Sequence, residues 1–250
     1  MAVSIKSARE IAMMREAGRI LAKVHDELGK VICPGITTYE IDQLGEKLIR
    51  ENGCIPNFLH YNGYPASVCI SVNQEVVHGI PNKSRVLKEG DIVSLDAGLI
   101  YKGYHSDAAR THAVGTISAE AQKLIDVTRQ SFFEGIKLAK EGNHLHDISN
   151  AIDAYVSQFG YGIVKDLVGH GIGTQLHEDP QIPNFAQKRR GVRLQAGMTL
   201  AIEPMINAGG WEVNFLQDGW TVVTRDGSLS AHYENTILVT DGEPEILTLL

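Results

Sequence analysis

The chain has 250 residues, 43% of them hydrophobic, enough to bury one substantial core, and the pattern below favours one domain over two small ones. With 30 acidic against 23 basic residues the net charge is −7, which argues against a general nucleic-acid binder, since affinity for phosphate backbones comes from clustered Lys and Arg. Cys33, Cys54 and Cys69 lack CxxC spacing and leave an odd thiol under any pairing, the first ten residues are polar, and no stretch nears the roughly 18 apolar residues that span a bilayer, so the expected setting is the cytoplasm, away from membranes.

In residues 8–28, Ile11, Met14, Ala17, Ile20, Leu21, Val24 and Leu28 recur at helical spacing and predict an amphipathic helix. Pro34 and Gly35 end that segment. Thr37 or Thr38 then caps a second helix, with Ile41, Leu44, Leu48 and Ile49 on one face and an end near Gly53. Two more helices are predicted over 119–140 and 144–159. Strand-like runs fall at 67–72, 91–100, 103–114, 199–206, 220–224 and 232–240. Lys188, Arg189, Arg190 and Arg193 form a short basic group that reads as a solvated loop, the alternative being a weak contact with ribosomal RNA.

Compared with itself, the chain repeats at an offset of 107 residues: Gly35 matches Gly142, Ile41 matches Ile148, Gly53 matches Gly160, Leu87 matches Leu194, Gly90 matches Gly197, and Asp96 falls on Glu203. The economical explanation is an old duplication. Halves spanning about 8–115 and 119–245 would share one sheet about a pseudo-two-fold axis, bringing Asp96 and Glu203 face to face. Two unrelated segments with common glycine punctuation remain the alternative.

A two-residue loop at Tyr101-Lys102 would set Asp96 opposite Asp107 in a hairpin, with β-carbons about 4.5–5.5 Å apart. Two ionised carboxylates at that distance repel. Either one holds a proton or cations lie between them, unless both simply face solvent. The apolar run Ile92, Val93, Ser94, Leu95 argues for an interior strand.

Gly169, Gly171 and Gly173 frame His170, allowing close approach of backbone to a ligand. His177 follows, then Glu203 before Pro204, and Glu234 within Tyr233-Glu234-Asn235-Thr236. One imidazole and four carboxylates suit manganese, iron, cobalt or zinc and supply enough oxygens to bridge two ions. His78 and His177 stand outside that set as candidate donors to a substrate carbonyl.

In this combination the residues resemble the type I methionine aminopeptidases of the pita-bread metallopeptidases, over essentially the whole chain. The resemblance implies an α+β pita-bread fold in a single catalytic domain, 1–250, with a curved, mainly antiparallel sheet covered by two pairs of helices. It implies that Asp96, Asp107, His170, Glu203 and Glu234 hold two divalent ions, Asp96 and Glu234 bridging or chelating across the site, and that Glu203 also handles the proton of an attacking metal-bound hydroxide. His78 would contact substrate near the scissile bond, and His177 would stabilise the tetrahedral intermediate. The methionine pocket maps onto Phe58, Tyr61, Tyr64, Cys69 and Trp220. Asn73 and Ser230 match positions where some members hold a monovalent cation.

The implied substrate is the N-terminal methionine of nascent polypeptides, with a small second residue preferred, and the implied form is a compact bacterial monomer without DNA or membrane partners. Phe58 stands where some members carry Cys, Leu176 where an aromatic residue is common, and Leu167-Val168 where many have Tyr and Cys, so the pocket's shape is less secure than the ligand set. A prolidase or aminopeptidase P shares the five ligands, but Tyr61, Gly63, Tyr64 and Pro65 suit methionine better than proline. A metal-free docking module of the same fold is the reading from another class, disfavoured by retention of every ligand.

Overall fold

The computed structural model describes residues 3–250; Met1 and Ala2, part of the expected domain span, lie outside the described residues. Among the described residues, four α-helices form where apolar periodicity and caps coincide. Helix α1 (Ala8–Lys30) opens with a capping box in which Ser7 accepts from the Glu10 N–H and the Glu10 carboxylate accepts from the Ser7 N–H. It buries Met14, Ala17, Leu21, Val24 and Leu28. Thr37 rather than Thr38 caps α2 (Thr38–Glu51), again as a box, with Glu40. Helix α4 (Leu145–Val156) starts after His144 and runs into a short 3-10 turn, Ser157–Phe159.

Helix α3 (Ala119–Ile136) stops earlier than the expected 140. The chain turns there because Lys140 forms a parallel bridge to Thr240 and the Glu141 N–H donates to the Thr240 carbonyl (3.1 Å).

The main sheet has nine strands: β1 (Ile55–Pro56), β2 (Val68–Val72), β3 (Ile92–Tyr101), β4 (Tyr104–Ala113), β5 (Gly169–Gly171), β6 (Glu178–Ile182), β7 (Thr199–Ile202), β8 (Glu234–Leu238) and β9 (Glu245–Ile246). Their order is β1-β3-β4-β8-β7-β5-β6, with β2 also on β3 and β9 on β8, all pairings antiparallel. One core lies between α1, α2 and the early strands (Leu21, Leu28, Ile41, Ile49, Val93, Leu95), and another between α3, α4 and the later ones (Leu124, Phe132, Ile148, Ile152, Leu200, Ile237). The result is the expected mixed α/β arrangement of four helices over a mainly antiparallel sheet.

Local structure repeats at the offset read from the sequence. Gly35 N–H donates to Leu87 O (2.8 Å) and Gly142 N–H to Leu194 O (3.0 Å); Leu87 N–H returns to Ile36 O and Leu194 N–H to Asn143 O, each 2.8 Å. The bridges Thr37–Val86 and His144–Arg193 correspond likewise. Gly35 and Gly142 have φ of 99° and 89°, and Gly90 and Gly197 have 89° and 92°, a left-handed region that favours glycine.

Three strand expectations are corrected. The β3–β4 hairpin turns through Lys102-Gly103, with φ of 49° and 86°, and pairs Tyr101 with Tyr104. Asp96 therefore faces Ala109 and Asp107 faces Gly98, two residues from the expected pairing. Positive φ at both central positions is what a type I′ turn requires, and Gly103 supplies it at the second. Because the slip is even, both acids stay on one face, now as diagonal neighbours.

The expected 199–206 strand is broken at Glu203-Pro204 into β7 and Met205–Asn207, since Pro204 has no N–H for a ladder. The 232–240 run breaks similarly at Tyr233. Ser230–His232 pairs with Met205–Asn207 in a separate three-stranded sheet, leaving β8 in the main one.

Candidate metal centre

Five positions in or beside the strands of the main sheet converge. Asp96 lies in β3, Asp107 in β4, His170 in β5, Glu203 just past β7 and Glu234 at the start of β8. All five line one cavity of about 260 Å³. Ligand atoms of Asp107, His170 and Glu234 lie within 4.8 Å of one another, and His170 Nε2 is 3.6 Å from Glu203 Oε1. The glycines beside His170 are required by close approach: a β-carbon on Gly169 would sit 2.4 Å from Ala201 O, and one on Gly171 2.3 Å from Asp179 O.

Burial, followed by the mutual repulsion of their charges, pushes the carboxyls of Asp107, Glu203 and Glu234 well above the ordinary range. Burial alone raises Asp96 to about 8. Among the described residues, Asp96 Oδ1 and Glu234 Oε1 are buried without a hydrogen-bond partner. Four crowded carboxyls with orphaned oxygens are costly unless protonated or bound to cations. The donor set fits divalent metal.

His170 is prepared for the same task. Its Nδ1 lies 2.8 Å from Gly171 O, which can only accept, so Nδ1 carries the proton and Nε2 faces the carboxylates with its lone pair free. Burial lowers the imidazole's pKa to about 3, keeping it neutral.

The expected pocket residues line the same cavity: Phe58, Tyr61, Tyr64, Cys69 and Trp220, with His78 and His177. Tyr64 donates to Gly79 O (2.8 Å) and packs edge-on to Trp220, ring centroids 5.2 Å apart. Cys69 pairs with Asp96 in the β2–β3 ladder, so the pocket wall and the carboxylate cluster share a rung. His78 adopts φ 59°, a strained value for a non-glycine residue, and its ring meets Trp220 edge-on at 6.5 Å. Tyr61 Oη lies 2.8 Å from His177 Nδ1, and the His177 ring meets that of His170 at 4.4 Å.

One residue escaped the sequence reading. His232 is buried, with Nε2 3.7 Å from Glu203 and 3.8 Å from Glu234, and it forms a second cluster with them. The available signal was its position two residues before Glu234, which places both side chains on one side of an extended chain. Asn73 and Ser230 are neighbours joined by a bond from Ser230 N–H to Asn73 O (2.9 Å). The Asn73 amide also donates to Asp91 (2.8 Å) and accepts from Ile92 N–H (3.0 Å).

The profile of metallopeptidase family M24 matches residues 12–241. The chain belongs to this family. It is 54% identical to the methionine aminopeptidase of Clostridium acetobutylicum over 247 residues, spanning 99% of both chains. Methionine aminopeptidase 1 of Bacillus subtilis is 52% identical over 243 residues, 97% of this chain and 98% of that one. In three dimensions the methionine aminopeptidase of Rickettsia prowazekii superposes with a TM-score of 0.97 at 39% identity, covering 99% of this chain and 100% of that one.

A Xaa-Pro dipeptidase from Bacillus anthracis stands further off, at 0.78 and 25% identity, with 98% of this chain covering 61% of that one. Within the family the chain is a methionine aminopeptidase of the compact bacterial type I form, and its fold is the pita-bread fold.

Proposed function

We propose that this family member removes the initiator methionine from nascent polypeptides with a two-metal centre held by Asp96, Asp107, His170, Glu203 and Glu234. One observation carries the proposal: these five side chains open onto the same cavity as a set of aromatic and thiol side chains whose chemistry suits a thioether. Divalent cobalt, manganese, iron or zinc held there would supply a hydroxide nucleophile at neutral pH and would polarise the scissile carbonyl.

The protein's own groups do the rest. Tyr61, Tyr64, Cys69, Trp220 and Phe58 enclose the methionine side chain and exclude water. With Tyr61 O–H donating to His177 Nδ1, His177 Nε2 bears the proton and donates to the carbonyl oxygen as it gains charge. His78, which lines the same cavity, donates near the scissile bond. The Glu203 carboxylate accepts the nucleophile's proton and returns it to the departing amine.

Leu176 also lines the cavity, and we assign a preference for a small second residue. The Asn73 carbonyl, which accepts one N–H, keeps a lone pair that a monovalent cation would use. The setting we assign is cytoplasmic, with three free thiols, and the acting species a monomer. Exposed Lys188, Arg189 and Arg193 would make any transient ribosome contact, Arg190 being paired with Asp147 (3.3 Å). No described helix is long and apolar enough to cross a membrane.

The metal-loaded protein is expected to release methionine from a Met-Ala-Ser peptide and to spare Xaa-Pro peptides. Cleavage of Xaa-Pro peptides without methionine release would refute the assignment.

A further inference from the structure

The N-terminal segment ahead of α1 reaches the loop that carries His177. Lys6 is buried, and its Nζ lies 2.7 Å from Glu178 Oε2, in an ion pair whose side chains are 6% and 15% exposed. Ser4 Oγ donates to the same oxygen (2.8 Å), and Lys6 Nζ also donates to Ser4 Oγ. The other carboxylate oxygen accepts from the Gln175 N–H (3.2 Å), which closes the turn before His177. Lys6 is itself fixed by its N–H to Gly197 O (2.9 Å), at the lead-in to β7.

Gly173 completes the contact. A β-carbon there would fall 2.6 Å from both Glu178 Oε1 and Lys6 Cε. The far side of the turn is tied to the carboxylate hairpin by the His105 N–H to Gly173 O (2.8 Å).

We infer that Ser4 and Lys6 are positioning residues for the reaction: through Glu178 they clamp the 173–178 turn and so fix where the His177 ring meets substrate. The inference rests on the role proposed for His177. A carboxylate this enclosed needs its cation, and without Lys6 it would swing toward solvent, taking the adjoining His177 with it. Tyr61 holds the ring at Nδ1 and the β5–β6 ladder sets Glu178 against Gly171, while the Glu178 side chain ties the 173–178 turn to the N-terminal segment. Displacements of about 1 Å at a reacting centre cost up to roughly 100-fold in rate.

The test is a double-mutant cycle on metal-loaded full-length protein with Met-Ala-Ser as substrate. Lys6→Met should lower kcat/KM roughly 10- to 100-fold with divalent-ion stoichiometry unchanged. In a His177→Ala background it should lower it no further. Ser4→Ala, at an exposed position that leaves the core intact, should show a smaller loss that also vanishes with His177→Ala, covering the case in which Lys6→Met does not fold. Equal losses in both backgrounds, or wild-type turnover for Lys6→Met, would overturn the inference. Wild-type kcat/KM for His177→Ala alone would instead overturn the proposed role of His177.

Discussion

The His177 ring sits at the cavity mouth with one nitrogen engaged by Tyr61, so its removal takes away a donor and little packing. His177→Ala is expected to lower kcat by about 10²–10³ while the thermal midpoint stays close to wild type. A comparable loss of both would make His177 a structural residue. His232 is the opposite case, buried beside Glu203 and Glu234 and held neutral by burial, which lowers its pKa to about 3. As a neighbour that orients ligands, it should matter for the ions: His232→Ala is predicted to weaken divalent-ion binding about 10- to 100-fold, measured by calorimetric titration. The five proposed ligands were legible because acids and a glycine-framed histidine in that order are chemically distinctive. His232 was less legible, its one signal being its position two residues before Glu234, and its approach to Glu203 depends on the chain break at Tyr233.

At the scale of elements, the helices could be read because their apolar faces repeat over many turns and Thr37 marks the start of α2; Ser7 and Ser118 cap α1 and α3 in the structure. The two- and three-residue strands could not, since β1, β5 and β9 are too short to show any period. The hairpin's register also escaped, because Tyr101-Lys102 and Lys102-Gly103 are both plausible centres until φ is known. The even slip nevertheless preserved the shared face of Asp96 and Asp107. The turn can be tested directly. Asn tolerates the left-handed region better than Lys, so Lys102→Asn should stabilise the protein by roughly 0.5 kcal/mol, whereas Gly103→Ala should destabilise it by about 1 kcal/mol. Urea denaturation measures both, and methionine release should be unchanged in each; an opposite order would contradict the turn assignment.

Across the whole molecule, the hydrogen bonds of Gly35 and Leu87 recur at Gly142 and Leu194, and we read this as two copies of one helix-and-strand unit that meet at the carboxylate cluster. Such a design concentrates electrostatic cost at the centre. In metal-free protein the Asp96 carboxyl, raised to about 8, contributes stability below its ordinary value that is lost as pH rises toward 8. Asp107, Glu203 and Glu234 are raised in the same direction. Divalent ions oppose that loss and bind best to the ionised set. The rise in thermal midpoint on adding manganese should therefore be larger at pH 8 than at pH 6, and an equal rise at both would contradict this balance. Buried His25 and half-buried His112, lowered to about 3 and about 4 chiefly by desolvation, act in the other sense, withdrawing stability as pH falls below 6.5.

The most direct test of the central claim is a titration of metal-stripped protein with manganese or cobalt, following bound ion and methionine release from Met-Ala-Ser together. Release should be absent without ion, should rise with occupancy toward two ions per chain, and should be lost in Asp107→Asn at unchanged far-ultraviolet circular dichroism. Full methionine release from protein holding no divalent ion, or from Asp107→Asn, would contradict the account.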